Sequence, residues 1–210
     1  MNQLERKKHW ENIYQTKNFT EVSWYQERPE ISLGFLNEFK IEKTANIIDI
    51  GGGDSYFVDN LLDLGYENIT VLDISEAALK KAQQRLGEKA KKVKWIEADI
   101  TTFEPTEQYD FWHDRAVFHF LTQENEIINY LKSTQKGIKP AGVLILGTFS
   151  EQGPTKCSGI EIKQYSENSM TERLKTFFDK IKCIKVDHIT PFSTIQNFIF
   201  CSFKKIALAS

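Results

Sequence analysis

Three consecutive glycines framed by carboxylates are the residues of this chain best suited by type and spacing to do chemistry. They lie in Asp49-Ile50-Gly51-Gly52-Gly53-Asp54-Ser55. Glycine lets a backbone turn sharply and approach a ligand with no Cβ in the way. A helix that opens after such a turn offers free backbone N–H groups. Two more acids, Asp73 and Asp99, each follow a short apolar run. A carboxylate at Asp73 can accept both hydroxyls of a ribose in a charge-assisted, bidentate contact. The competing reading of Asp73 is an acid held by a helix dipole, but Ser75 already supplies that cap. For Asp99 the competing reading is an ordinary loop acid.

These acids and glycines need elements that end together. Asn46–Ile50, Ile69–Asp73, Val93–Glu97, Tyr109–His113 and Val143–Gly147 read as five short strands. Between them lie helical stretches at Ser55–Leu64, after Ser75, and at Glu124–Gly137, where Gly137 reads as a C-cap. Strands alternating with helices give parallel βαβ units. The last third differs. Ser166–Asp179 reads as a helix, and Ile181–Ile189 and Ile195–Phe203 as strands around Thr190-Pro191-Phe192-Ser193. So short a turn requires an antiparallel pair. The expected architecture is α/β, with a seven-stranded, mostly parallel sheet ending in an antiparallel C-terminal hairpin. Leu4–Tyr14 and Glu30–Phe39, the latter with Pro29 in its first turn, form an N-terminal helical extension. Ser23-Trp24-Tyr25-Gln26 is an aromatic-rich loop between them.

With 210 residues the chain fits a single domain. The expected divisions are an N-terminal helical lid (1–40), a half carrying the glycine turn and the acids (45–150), and a loop, helix and hairpin (151–210). A net charge of −2 argues against a dedicated nucleic-acid binder. The basic run Lys89, Lys91, Lys92 and Lys94 reads first as a solvated helix end. Cys157, Cys183 and Cys201 have no metal-ligand spacing and, as an odd, scattered set, suit a reducing compartment. No apolar stretch reaches membrane-spanning length and no secretory signal is visible. A cytoplasmic protein with no membrane or nucleic-acid partner is the expectation, its oligomeric state open.

The glycine turn narrows the ligand. A dinucleotide site wants Gly-x-Gly-x-x-Gly or -Ala, and here Tyr56 stands at the last position, too bulky for close helix–strand packing. The pattern Asp-x-Gly-x-Gly-x-Gly is met by Asp49, Gly51 and Gly53, with Ser55 as a small substitute for the last glycine. On these residues the chain resembles the class I S-adenosylmethionine-dependent methyltransferases. The resemblance implies a Rossmann-like three-layer sandwich that binds S-adenosylmethionine, releases S-adenosylhomocysteine and needs no metal. It implies that Asp49, Gly51, Gly52, Gly53 and Ser55 cradle the amino-acid end. Asp73 and Ile74 then serve the ribose, Asp99 the adenine amino group and Ile100 the ring. The segments GTF…GP.KCSG…Y, SWYQ and TPF…Q…F are similar to a bacterial methyltransferase subgroup, some members of which stand beside protein lysine methyltransferases.

The stretch Tyr109–Leu121 resembles the methyltransferase segment beside the sulfonium. There Asp114 and Arg115 are candidates for the methionine part of the cofactor, or else pair with each other. His119 is a candidate general base, or a packed core histidine. Trp24 and Tyr25, with Tyr14, are candidates to cover the sulfonium and wall the acceptor site, or simple packing residues. Cys157 sits in a long Gly/Pro loop and is a candidate substrate contact. Thr190, Pro191, Phe192 and Gln196 read first as hairpin chemistry, with the far wall of the site as the alternative. The expected activity is methyl transfer to an N, O or S acceptor, a small molecule ahead of a protein lysine. A non-enzymatic S-adenosylmethionine-binding module and an NAD-dependent reductase are the rival readings.

Overall fold

The computed structural model describes residues 2–206. Its strands are β1 (Asn46–Ile50), β2 (Asn68–Asp73), β3 (Val93–Glu97), β4 (Tyr109–Arg115), β5 (Ile138–Phe149), the two-residue β6 (Lys156–Cys157) and β7 (Ile160–Glu161), β8 (Phe178–Ile189) and β9 (Ile195–Lys205). Its α-helices are α1 (Gln3–Thr16), α2 (Glu30–Glu38), α3 (Phe57–Asp63), α4 (Glu76–Leu86), α5 (Glu124–Gly137) and α6 (Glu167–Leu174). Seven strands form one sheet in the order β3-β2-β1-β4-β5-β9-β8. β1 to β5 run parallel, while β9 is antiparallel to both β5 and β8. This is the Rossmann-like, mostly parallel sheet expected from the sequence. Strand order reverses between β1 and β4, so their C-terminal ends open a crevice there.

Side-chain alternation along the strands builds a core on each face. Ile48, Trp112, Leu144 and Leu146 point toward Ile127, Tyr130 and Leu131 of α5 and Met170 and Leu174 of α6. Their neighbours Ile47, Phe111 and Ile145 point the other way, toward Leu33 and Leu36 of α2 and Phe57, Val58 and Leu61 of α3. Helices on both faces of the sheet complete the three layers.

Several boundaries differ from the sequence reading. The helix expected over Ser166–Asp179 stops at Leu174, and Phe178 and Asp179 already pair with Lys205 and Lys204 in the hairpin. Gly137 is not a C-cap: it ends α5 with no left-handed turn, and Ile138 follows as the cap. A Cβ there would lie 2.6 Å from the Trp112 ring, so the glycine serves packing of α5 on the sheet. β5 runs well past Val143–Gly147 because both of its ends find partners.

The cysteine reading also changes. Cys183 and Cys201 face each other across β8 and β9 and form a disulfide, leaving Cys157 free and buried. Their 18-residue separation hid a direct cross-strand pair, and the pairing removes the ground on which a reducing compartment was expected. No described helix is long and apolar enough to cross a membrane.

Candidate active site

One cavity gathers most of the candidate residues. It has a volume of about 110 Å³ and lies over the C-terminal ends of β1, β2 and β4. Asp49, Gly51, Gly52, Ser55, Asp73, Ile74, Asp99, Ile100, Arg115, Trp24 and Cys157 all line it. Gly53, Asp114, His119 and Tyr25 do not.

The glycine turn is shaped by what lies beneath it. Gly51 has φ +65°, and a Cβ there would sit 2.1 Å from Val117. A Cβ on Gly52 would sit 2.4 Å from an Asp49 carboxylate oxygen, and one on Gly53 2.5 Å from an Asp73 oxygen. The Gly51 amide donates to the Leu72 carbonyl at 2.7 Å, which fastens the turn to β2. Ser55 turns inward to the next helix: its hydroxyl accepts the Phe57 amide at 3.1 Å.

Asp73 ends β2, buried, with one oxygen accepting the Ser75 amide at 2.8 Å. Burial pushes its carboxyl up to about 7. Ser75 caps α4 as expected, accepting the Ala78 amide at 3.1 Å. Asp99 accepts the amide and hydroxyl of Thr101, at 2.8 and 2.7 Å, and meets the Arg6 guanidinium at 3.1 Å. Arg6 also pairs with Glu126. Glu11 of α1 accepts from the Ser75 hydroxyl and the Ala77 amide, at 2.8 and 3.1 Å, so it covers the N-terminus of α4. Helix α1 thus roofs the β2–β3 end of the cavity.

On β4 the alternation of side chains separates residues that the sequence reading placed together. His113 and Arg115 face the cavity, while Asp114 faces α5. The Asp114 carboxylate is buried there, accepting the Val117 amide at 2.9 Å and the Tyr130 hydroxyl at 2.8 Å. Burial raises it to about 6. Successive side chains of a strand take opposite faces, so of the two candidates for the methionine part only Arg115 lines the cavity, and Asp114 pairs with α5 instead. His119 is also displaced from its expected role. Its Nδ1 accepts the Phe149 amide at 3.3 Å, its ring packs on Phe120 and Phe149, and burial pushes it down to about 3. A fully buried, neutral imidazole outside the cavity is a packing residue. Tyr25 lies on a second, outer cleft beside Tyr56.

His113 was missed by the sequence reading. Its Nδ1 meets an Asp49 oxygen at 2.6 Å and its Nε2 the Ser32 hydroxyl at 2.8 Å, all buried. The parallel register sets Asp49 opposite His113. A histidine two residues before Arg115, on the same strand face, was the signal available. The cavity wall continues with Trp10, Tyr14, Trp24 and Phe120, whose rings meet edge-on around Trp10 and Trp24. Burial pushes the Tyr14 hydroxyl well above its ordinary value and the Cys157 thiol up to about 11, so both are neutral.

A methyltransferase domain model matches residues 48–144, from β1 through β5, the span holding the glycine turn, Asp73 and Asp99. Residues 48–144 thus carry a methyltransferase domain, on a sheet with the fold of the class I, Rossmann-like S-adenosylmethionine-dependent methyltransferases. It is 26% identical over 184 residues to malonyl-[acyl-carrier protein] O-methyltransferase 2 of Ilyobacter polytropus, covering 81% of this chain and 67% of that protein. It is 28% identical over 121 residues to the eEF1A lysine and N-terminal methyltransferase of Mus musculus, covering 57% of this chain but 17% of that much longer protein. Among solved structures, the Burkholderia thailandensis 1,6-didemethyltoxoflavin-N1-methyltransferase superposes with a TM-score of 0.70 at 15% identity, over 97% of this chain and 85% of that one. That structure holds bound 1,6-didemethyltoxoflavin and S-adenosylhomocysteine. For a methyltransferase of this class the residues present suit S-adenosylmethionine. Gly51 and Gly52 border the cavity with backbone alone, and the buried Asp73 carboxylate ends β2 beside them.

Proposed function

We propose that this methyltransferase transfers the methyl group of S-adenosylmethionine to an N, O or S atom of a small molecule. The observation that carries the reading is the shape of the cavity. It runs from Asp73 and Asp99 on the β2–β3 side, past the glycine turn, to Cys157, Arg115 and Phe198 on the β4–β9 side. One end has the polar groups a nucleoside needs, and the other sets Arg115 and Gln196 among aromatic rings. In this reading Asp49, Gly51, Gly52 and Ser55 position the amino-acid end, Asp73 and Ile74 the ribose, and Asp99 and Ile100 the adenine.

When bound, S-adenosylmethionine supplies a methyl group on a sulfonium: a lone pair of the acceptor takes the carbon while sulfur keeps the C–S electron pair. The chain's task is alignment. Holding the acceptor in line with the methyl group removes up to roughly 7–11 kcal/mol of the barrier. Trp10, Trp24 and Phe120 exclude water and present ring faces that favour a cation. Tyr14 and Cys157, held neutral by burial, add no competing nucleophile at physiological pH. In this reading α1 and the loop through Trp24 act as the lid, while α2 belongs to the core, and the Trp24 carbonyl is held by Arg115 at the acceptor end.

The test is calorimetry with S-adenosylhomocysteine, followed by transfer of labelled methyl from S-adenosylmethionine into fractionated cell extract. The expected outcome is nucleoside binding and label in the small-molecule fraction. Label in the protein fraction would favour a lysine acceptor instead. Binding without transfer to any fraction would leave a binding module, and binding of NAD alone would end the reading.

A further inference from the structure

The cavity's acceptor end holds a cation that the fold leaves incompletely paired. One guanidinium nitrogen of Arg115 donates to the Trp24 carbonyl at 3.0 Å. The other terminal nitrogen is buried and has no hydrogen-bond partner. The guanidinium stacks over the Phe198 ring of β9, 5.2 Å from its centre. Two residues before Phe198, on the same strand face, Gln196 also lines the cavity with its buried side-chain oxygen unpartnered. A buried cation with an unsatisfied donor costs free energy unless a ligand completes it.

We propose that Arg115 and Gln196 form the recognition site of the methyl acceptor, and that the acceptor is a small carboxylic acid with an apolar body and a second N–H or O–H group. The carboxylate meets the free face of Arg115, and Gln196 accepts from the second group. This rests on the methyltransferase reading and names its substrate class.

Sheet position favours the acceptor over the cofactor's own carboxylate. The glycine turn, Asp73 and Asp99 stand on the β1–β2–β3 half. Arg115 follows Asp114 beside the turn, but its guanidinium lies over a ring on β9, the strand beyond β5, and is tied to the Trp24 carbonyl. It also forms part of the outer cleft with Gln26, His188 and Thr190, so it stands between that cleft and the cavity. The Asp49 carboxylate acts on Arg115 without bonding to its free nitrogen, so a neutral acceptor would leave that donor without an anionic partner beside the sulfonium. An acid supplies that partner. Pairing with Arg115 also draws charge from the carboxylate, which makes it the anchor and the second group the site of methylation.

The probes are benzoate and its neutral counterpart benzamide. Each is titrated into protein saturated with S-adenosylhomocysteine, and the fluorescence of Trp10 and Trp24 reports binding. Benzoate is expected to bind about tenfold or more tightly than benzamide. Arg115→Gln is expected to weaken benzoate about ten- to a hundredfold while S-adenosylhomocysteine affinity changes by less than about twofold. One of the three hydroxybenzoates should bind better than benzoate, and Gln196→Leu should abolish that gain. If Arg115→Gln fails to fold, as judged by circular dichroism, the benzoate–benzamide pair and Gln196→Leu decide.

No benzoate binding below about 1 mM, or equal affinity for the amide, overturns the proposal. So does loss of S-adenosylhomocysteine affinity in Arg115→Gln, which would hand the guanidinium to the cofactor. Failure of the wild-type protein to bind S-adenosylhomocysteine at all would instead overturn the methyltransferase reading.

Discussion

Asp73 carries the clearest consequence at the scale of one residue. Burial lifts its carboxyl to about 7 in the folded chain, against about 3.9 when unfolded. The native state therefore holds the proton more tightly, and stability declines as pH rises from about 4 to 7. Ligand binding has the opposite sign, because two ribose hydroxyls need the ionised form as acceptor. S-adenosylhomocysteine affinity should rise between pH 6 and 8, and Asp73→Asn should flatten that rise and weaken binding at pH 8 by about ten- to a hundredfold. Calorimetry at three pH values checks both. Asp49, the glycines, Asp73 and Asp99 were legible because each lies at or just past the end of a strand, and strand ends in such sheets converge. His113 was not legible, because its meaning comes from its partner on β1 and from Ser32 on α2. Asp114 and His119 misled for a related reason: adjacency in sequence says nothing about which face of a strand, or which side of a turn, a side chain takes.

Among the elements, α1 was the one whose role was least legible. Its sequence predicts a helix, yet nothing local says that Arg6, Lys7 and Glu11 will each find a partner on the sheet's C-terminal edge. Arg6 joins Asp99 and Glu126, Lys7 joins Glu97, and Glu11 covers the start of α4. Arg6→Ala leaves the buried Asp99 carboxylate without its cation, which should cost about 3 kcal/mol. Hydrogen exchange should show α1 amides losing protection while those of β1 and β4 keep it. Uniform loss across the sheet would mean that α1 is an integral part of the core. The strand–helix alternation and the terminal hairpin were legible from periodicity alone. The ends of β5 and α6 were not, because pairing with β9 and β8 overrides local propensity.

Across the whole molecule, the hairpin of β8 and β9 joins the two halves of the site's logic. It supplies Gln196 and Phe198 to the cavity and His188 and Thr190 to the outer cleft. Its covalent tie between Cys183 and Cys201 is a global property that counting cysteines obscured. Thiol titration of protein unfolded without reductant should find Cys157 alone, and reduction should bring the count to all three cysteines. Three thiols before reduction would remove the tie and restore the reducing-compartment reading. The ionic roof built by α1 has a kinetic corollary. A spent nucleoside enclosed beneath it departs only when those charge pairs separate, and the partly exposed ones are weakened by dissolved salt. Turnover would then be paced by departure rather than by bond-making, and moderate salt would speed the catalyst even as it loosened the grip on its nucleoside.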